Sequence, residues 1–272
     1  MSARPFFSVV TVVRNDLAGL TRTYESLQKQ GLRDFEWLVV DGCSDDGTRE
    51  WLAAHDGEIT WWRSAPDRGL YDAMNIGLTS SRGEYVVFLN AGDSLAASGT
   101  LKYFSTHLIA AGYPDFCYGD ALEGFLDGSV LNKPARSHRV AWYGMFTHHQ
   151  AMLYRRLVLT GLKYNLAYPI AADYALTLQV LERAQSSMQL REPFCLFAPG
   201  GISQRDANAG RREQACIRRD LLGHGFISCR VVSAIQWMTF SLRKIAPELF
   251  SLIRCRSALF RARFDIVSIN ES

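Results

Sequence analysis

The stretch Glu84-Tyr-Val-Val-Phe-Leu-Asn90-Ala-Gly92-Asp93 is the part of the chain that most directly indicates its fold. The five apolar residues from Tyr85 to Leu89 are typical of a short strand that is buried on both faces. A polar loop carrying Asn90 and Asp93 follows immediately. Ligands of open α/β sheets bind outside the carboxyl ends of the strands, so this loop is a candidate site. The alternative is an ordinary surface turn, in which Asn, Gly and Asp are common.

Strands and helices alternate along the chain up to this stretch. The predicted strands are 6–13, 35–40, 59–63 and 85–89, and the predicted helices are 17–30, 48–54 and 70–80. This alternation predicts an α/β fold, Rossmann-like, with a mostly parallel sheet flanked by helices. Each strand ends in a polar loop. Because the carboxyl ends of parallel strands share one edge of a sheet, the sequence predicts a ligand-binding edge.

Composition narrows the class of protein. The chain has 272 residues, of which 48% are hydrophobic and 21% are charged, which predicts one large domain or a domain with a smaller appendage. The formal charge of +3 is too small to indicate a nucleic-acid partner, and the six cysteines form no C-x-x-C pair. No apolar run reaches the roughly eighteen residues of a membrane span, and the first run is too short for a signal peptide. We therefore predict a cytoplasmic protein.

The C-terminal part of the chain is basic. Between Arg211 and Phe264, eleven Lys and Arg residues stand against three acids, which gives a local balance of 11 − 3 = +8. Aromatic and aliphatic residues are mixed with these bases at helical spacing. The pattern suits an amphipathic helix in peripheral contact with the inner face of the cytoplasmic membrane. It suits equally a C-terminal helix that packs on the domain with solvated arginines.

Four motifs follow one another in a characteristic order. They are Ser8-Val-Val-Thr-Val-Val-Arg14-Asn15, Leu38-Val-Val-Asp41-Gly-Cys-Ser-Asp-Asp-Gly-Thr48, Asp67-Arg-Gly-Leu-Tyr-Asp72-Ala-Met-Asn75-Ile-Gly77-Leu and Gly83-Glu-Tyr-Val-Val-Phe-Leu-Asn90-Ala-Gly-Asp93. Together they resemble the nucleotide-sugar-binding half of the inverting glycosyltransferases of family two, which have the GT-A fold. The resemblance covers roughly residues 6 to 200. It implies a glycosyltransferase domain at 1–205, with a nucleotide-sugar half at 1–95 and an acceptor half at 96–205, and a C-terminal helical extension at 206–272.

The resemblance implies which residues contact the nucleotide sugar. In the family, the acid that matches Asp41 contacts the base, although a carboxylate that caps its own loop is the alternative. Arg68 could meet a phosphate or could be a solvated or helix-capping side chain. The predicted donor-binding residues are Thr11, Val13, Asn15, Asp41, Asp67, Arg68, Asp72, Asn75, Asn90, Ala91 and Gly92.

The opening stretch matches the metal-binding D-x-D position of the family, whose usual pattern is Asp-x-Asp-Asp. Asn90 and Gly92 replace two of these acids, so the metal prediction depends on Asp93. One carboxylate, with an Asn carbonyl and the diphosphate oxygens, can hold Mg²⁺ or Mn²⁺, because these ions take hard oxygen ligands and keep water.

Transfer with inversion needs a base that deprotonates the acceptor hydroxyl. The resemblance assigns this role to Asp173, which follows Ala172 where the family has another acid; an ordinary acid at a helix start is the alternative. His148 and His149 are predicted to contact sugar, phosphate or metal, and a structural histidine is the alternative. Adjacent residues of a strand point to opposite faces, so at most one of the two is expected to face the site.

The sequence therefore predicts an inverting, metal-dependent glycosyltransferase. It would move a sugar from a nucleotide-diphosphate sugar, a UDP-sugar first among them, to a saccharide or polyprenyl-linked acceptor in bacterial surface polysaccharide synthesis. A second hypothesis is a catalytically degenerate nucleotide-sugar-binding or scaffold protein of the same fold, because the D-x-D motif is altered. A dehydrogenase is disfavoured because no G-x-G-x-x-G follows the first strand.

Overall fold

A computed structural model describes residues 4–125, 128–198 and 206–245. The strands are β1 (Phe7–Val13), β2 (Phe35–Asp41), β3 (Trp61–Ser64), β4 (Tyr85–Phe88), β5 (Ser94–Leu95), β6 (Phe116–Gly124), β7 (Val130–Lys133), β8 (Met152–Arg155) and β9 (Ser187–Phe197). The α-helices are α1 (Leu17–Gln28), α2 (Thr48–Ala54), α3 (Leu70–Ser80), α4 (Thr100–Ala110), α5 (Ala172–Arg183), α6 (Ala207–Leu222) and α7 (Phe226–Ile245). Two 3₁₀ turns lie at His138–Val140 and His149–Ala151. The chain divides into two compact units, residues 1–205 and 206–272.

All nine strands belong to one sheet. Its order is β3-β2-β1-β4-β8-β6-β9-β5, with β7 paired to β6. The first four strands are parallel to one another, and β8 is antiparallel to both β4 and β6. The predicted α/β fold with a mostly parallel sheet flanked by helices is confirmed. Every residue of β1 and β4 is buried. Continuous apolar runs are expected for strands of a sheet that is covered on both faces.

The register of the parallel strands brings their carboxyl ends to one edge. Asp41 at the end of β2 pairs with Val13 on one side and with Ser64 on the other. The backbone N–H of Ala91 donates to the carbonyl of Val12 at 3.1 Å. The four polar loops at 14–16, 42–47, 65–69 and 90–93 therefore follow neighbouring strands along this carboxyl edge.

The buried carboxylate of Glu36 lies at the amino ends of the same strands. Its Oε1 accepts hydrogen bonds from Ser8 Oγ at 2.5 Å and from the backbone N–H groups of Arg82 and Gly83 at 2.5 and 3.1 Å. A Cβ at Gly83 would lie 2.5 Å from the backbone nitrogen of Ser8, so this approach needs glycine. These bonds tie β1, β2 and the turn into β4 together and so fix the register of the carboxyl edge.

The second unit contains α6 and α7, which pack against each other. Cys229 Sγ lies 3.6 Å from the carbonyl of Ala215, and the Gln236 amide donates to Gln214 at 3.1 Å. These contacts account for one face of α7. They confirm neither of the two alternatives for the C-terminal helix, because they lie inside this unit.

Another face of α7 is apolar and exposed. Ile227, Val231, Ile235 and Met238 recur at helical spacing and are 77%, 52%, 41% and 55% exposed. We call these four residues the α7 stripe. No helix in the described part of the chain is long and apolar enough to cross a membrane.

Candidate functional site

The loops after β1 and β2 are fastened to each other at the carboxyl edge. The backbone N–H of Asn15 donates to Ser44 Oγ at 2.8 Å, and Asn15 Oδ1 accepts from the backbone N–H of Asp45 at 3.0 Å. Asn15 has a φ of 51°, in the left-handed region that Asn tolerates better than most residues. The side chain of Asn15 therefore fixes the two loops that the family resemblance assigns to the nucleotide.

Asp41 is fully buried at the centre of this edge. Its carboxylate accepts from Ser44 Oγ at 2.5 Å and from Ser64 Oγ at 2.6 Å. Asp41 thus caps its own loop and joins the ends of β2 and β3, which is the alternative that sequence reasoning left open. Its contact with a nucleotide base stays a prediction.

Asp67 and the pair of Arg68 and Asp72 lie in the next loop and the start of α3. Asp67 Oδ1 accepts from the backbone N–H of Gly69 at 2.8 Å, and its Oδ2 would be 2.8 Å from a Cβ at Gly42. Arg68 forms an ion pair with Asp72 at 2.8 Å while remaining 75% exposed. The hydrogen bond from this guanidinium lowers the pKa of Asp72. Arg68 therefore faces solvent and its own helix start.

Three predicted donor-binding residues form hydrogen bonds to other parts of the protein. The fully buried Thr11 accepts from Trp37 Nε1 at 2.9 Å, and the carbonyl of the buried Val13 accepts from Gly42 N–H at 2.9 Å. Asn75 donates to the carbonyl of Tyr164 at 2.9 Å and accepts from its N–H at 2.8 Å. In this arrangement the Thr11 and Asn75 side chains stabilise the fold, and their contact with the donor stays a prediction.

The turn after β4 rests on α1. Thr23 Oγ1 donates to the carbonyl of Asp93 at 2.7 Å and lies 3.2 Å from the backbone N–H of Gly92. Gly92 has a φ of 94°, which favours glycine. The Oδ1 of Asn90 is buried without a hydrogen-bond partner. At the first two acidic positions of the Asp-x-Asp-Asp pattern, this turn thus presents the neutral amide oxygen of Asn90 and the side-chain-free Gly92.

Asp93 is placed differently from a metal ligand. It is 3% exposed, and its two carboxylate oxygens accept from Gln150 Nε2 at 2.8 Å and from the Ala198 N–H at 2.9 Å. Burial raises the pKa of Asp93 to about 7. A divalent cation could bind Asp93 only at the remaining lone pairs of these buried oxygens, and Gly92 offers no second carboxylate. Within the described residues no group of three His, Cys, Asp or Glu side chains could hold a metal ion. These residues do not fit the predicted Mg²⁺ or Mn²⁺ site.

Asp173 lies in the first turn of α5 and its side chain is 19% exposed. Tyr71 Oη donates to the carbonyl of Ile170 at 2.8 Å and lies 3.2 Å from Asp173 Oδ1. His149 Nδ1 lies 3.8 Å from Asp173 Oδ2. Burial lowers the pKa of His149 to about 3, so this imidazole is neutral near pH 7. Tyr71 and His149 are two neutral groups beside this partly exposed side chain, and the general-base role of Asp173 stays a prediction.

The 3₁₀ turn at His149–Ala151 connects the two acids. His149 approaches Asp173, and the next residue, Gln150, donates to Asp93. Sequence reasoning gave neither Gln150 nor Tyr71 a role. The available signal was the polar triplet immediately before the strand β8, since β8 pairs with β4 and places the turn beside Asp93.

His148 belongs to a separate ion cluster. Its Nε2 lies 2.9 Å from Glu123 Oε1, and Lys133 Nζ donates to the same oxygen at 2.7 Å. The His148 ring also stacks on Phe197 with centroids 4.4 Å apart. The hydrogen bond from His148, followed by the charge of Lys133, holds the pKa of Glu123 well below its usual range. The two adjacent histidines therefore contact different groups, and only His149 lies beside Asp173.

A sheet whose first four strands are parallel, with polar loops at their carboxyl edge, is the architecture of the GT-A class of folds. Solved structures agree at the level of the fold. TarS of S. aureus, in complex with UDP, has a TM-score of 0.64 at 20% identity over 90% of this chain and 74% of that chain. A mannosyltransferase of Pyrobaculum calidifontis, with GDP-Man and Mn²⁺, has a TM-score of 0.62 at 16% identity over 95% and 81%.

Sequence comparison identifies the family. Residues 8–160 match the model of glycosyl transferase family 2. The PGL/p-HBAD biosynthesis glycosyltransferase of Mycobacterium bovis is 33% identical over 186 residues, which are 63% of this chain and 68% of that protein. The chain belongs to glycosyl transferase family 2 and is a glycosyltransferase.

Proposed function

We propose that this enzyme transfers a sugar, with inversion, from a nucleotide-diphosphate sugar to a hydroxyl of a saccharide or polyprenyl-linked acceptor. The observation that carries the proposal is the contact of Tyr71 with Asp173, 3.2 Å between the hydroxyl and the carboxylate. Tyr71 belongs to the third donor motif, and Asp173 is the predicted base for the acceptor. The contact supports a single site at which the donor and the acceptor would meet.

In the proposed reaction the Asp173 carboxylate takes the proton of the acceptor hydroxyl. The acceptor oxygen forms its bond to the anomeric carbon as the bond from that carbon to the diphosphate oxygen breaks on the opposite face. The nucleoside diphosphate leaves with the bonding electrons, and the proton stays on Asp173. Because His149 is neutral, it does not neutralise the carboxylate. The Mg²⁺ or Mn²⁺ predicted from the sequence is not part of the proposal, since both Asp93 oxygens are bonded within the fold.

A UDP-sugar is the first candidate for the donor, and bacterial surface polysaccharide synthesis is the proposed setting. TarS has been solved with UDP, and the Pyrobaculum enzyme with GDP-Man, so both bases are compatible with this fold. The name of the mycobacterial relative assigns it to PGL/p-HBAD biosynthesis. These similarities support a nucleotide-sugar donor. Which nucleobase the donor carries is decided by the following titration.

We expect UDP to raise the melting temperature of the protein by several degrees at 100 times its Kd. Binding to the native state alone adds about 2.7 kcal/mol at that excess, and a domain of this size shifts by about 2–4 °C per kcal/mol. The measurement is a thermal-shift titration with UDP, GDP and dTDP, with inorganic phosphate as the control. If no nucleoside diphosphate shifts the transition, the proposed donor class is wrong.

A turnover assay with the corresponding nucleotide sugar separates the enzyme from the alternative. Release of nucleoside diphosphate, slow without acceptor and faster with it, is expected for a transferase. Binding of the sugar nucleotide with no turnover in the presence of any acceptor would favour the nucleotide-sugar-binding protein that has lost catalysis.

We also propose that the second unit docks on an anionic membrane surface, where a polyprenyl-linked acceptor would be found. The α7 stripe is exposed and apolar, and α7 carries Arg230, Arg243 and Lys244 but no acid. An apolar face accompanied by basic residues is the composition of an interfacial helix, and its charge complements anionic lipids.

Replacing Val231 with Glu is expected to reduce binding to anionic vesicles several-fold, because it places a charge within the α7 stripe. The control is Asn208→Glu, which adds the same charge at an exposed position of α6, away from the stripe. Co-sedimentation with phosphatidylglycerol-containing vesicles measures both. Equal losses in the two variants, or no binding by the unchanged protein, would contradict the docking proposal.

A further inference from the structure

The guanidinium of Arg22 and the carboxylate of Asp16 both lie beside Gly92, the position where the family pattern has its second acid. A Cβ at Gly92 would lie 3.7 Å from Nη2 of Arg22 and 3.6 Å from Oδ2 of Asp16. The guanidinium of Arg22 therefore lies against the turn at the point from which an acidic side chain would project. A carboxylate at this place would attract a metal ion, whereas a guanidinium repels one.

Arg22 is held at this place by its neighbour in α1. Thr23 bonds to both Gly92 and Asp93, so the turn and this part of the helix are fastened together. The Arg22 side chain is exposed, and within the described part of the chain no hydrogen bond or ion pair engages its guanidinium. Arg22 is thus a cation with its donors available, fixed at its backbone beside the turn of the carboxyl edge.

The donor diphosphate needs positive charge at this turn, because the leaving group carries more negative charge as the sugar departs. Arg supplies up to five N–H donors in a planar fork that fits phosphate oxygens in pairs and stays protonated at all physiological pH values. The nearest acid, Asp16, is the N-cap of α1, where its Oδ1 accepts from Gly19 N–H at 2.9 Å. Its charge is partly offset there by the positive end of the helix dipole.

We propose that the Arg22 guanidinium, in place of a divalent cation, binds the diphosphate of the donor beside Gly92. This inference rests on the proposed function, since it needs a nucleotide-diphosphate donor at the carboxyl edge. It assigns the charge that stabilises the leaving group to a side chain of α1. Asp93, which the motif comparison makes a metal ligand, then serves only to hold the turn.

The test is calorimetric titration of the full chain with UDP and with uridine, each in EDTA and in Mn²⁺. If the thermal-shift panel selects another base, its diphosphate and nucleoside replace these probes. The variants are Arg22→Gln, Arg22→Lys and the control Arg33→Gln, an exposed arginine beyond the other end of α1. Circular dichroism and the melting temperature establish that each variant is folded.

We expect EDTA to leave the affinity of the unchanged protein for the diphosphate within about twofold. Arg22→Gln should weaken diphosphate binding at least tenfold, which is about 1.4 kcal/mol, and leave nucleoside binding unchanged. Arg22→Lys should recover part of the loss, and Arg33→Gln should bind as the unchanged protein does. A tenfold or greater loss in EDTA, or equal diphosphate affinity in Arg22→Gln, would overturn the inference while leaving the proposed function standing. Absence of diphosphate binding in the unchanged protein would contradict both the inference and the proposed function.

Discussion

Asp173→Asn is expected to lower kcat for sugar transfer by about 10²–10⁴-fold, the usual contribution of a general base. The amide is nearly isosteric with the carboxylate and can still accept from Tyr71, so the start of α5 should keep its conformation. What it loses is the ability to take a proton from the acceptor hydroxyl. Affinity for the nucleoside diphosphate should change less than twofold, because the expected defect lies in the chemical step.

The matched control for this variant is Glu182→Gln, which removes an exposed carboxylate from the other end of the same helix. It should retain the transfer rate of the unchanged enzyme. Steady-state kinetics with the donor that the thermal-shift panel selects, together with diphosphate titration, measure all three proteins. If Asp173→Asn retains more than about a tenth of kcat, the base lies elsewhere. If it loses diphosphate affinity to the same extent as rate, Asp173 acts in donor binding.

The fold was accessible from the sequence because its signals are local. The apolar runs of β1 and β2 and the periodicity of α1 and α3 each lie within a dozen residues, and the structure agrees with them to within about two residues. The parallel direction of these strands was predicted from the alternation of strands and helices alone. Of the first four strands, β3 has the least accurate predicted bounds. The prediction, 59–63, begins two residues before the observed Trp61–Ser64.

The roles of individual side chains were less accessible, because their partners are distant in sequence. Asn75 bonds to a residue 89 positions later, and Asp93 to Gln150, 57 positions later. A motif gives the chemical type of a side chain at a strand end, and the distant partner decides whether that side chain faces a ligand or the fold. Thr11 illustrates this: its position in the first motif suggested a nucleotide contact, and its hydroxyl is bonded to Trp37 inside the core.

Asp93→Ala is expected to lower the free energy of unfolding by about 2–6 kcal/mol, because it leaves the buried Gln150 amide and the partly buried Ala198 N–H without an acceptor. Each such group costs about 1–3 kcal/mol. A metal ligand in a metal-free protein would give the opposite sign, since removing an unpaired acid relieves a buried or repelled charge. The direction of the change therefore distinguishes the two roles of Asp93.

Urea unfolding in EDTA measures this difference, with Asp45→Ala as the control. Asp45 is an exposed acid in the neighbouring loop, and its removal should change stability by no more than about 0.5 kcal/mol. Adding Mn²⁺ should stabilise neither the unchanged protein nor Asp93→Ala, because the two oxygens of Asp93 are already bonded to donors of the fold. Stabilisation of the unchanged protein by Mn²⁺ that disappears in Asp93→Ala would restore the metal-ligand role and would contradict the proposal that Arg22 acts in place of a divalent cation.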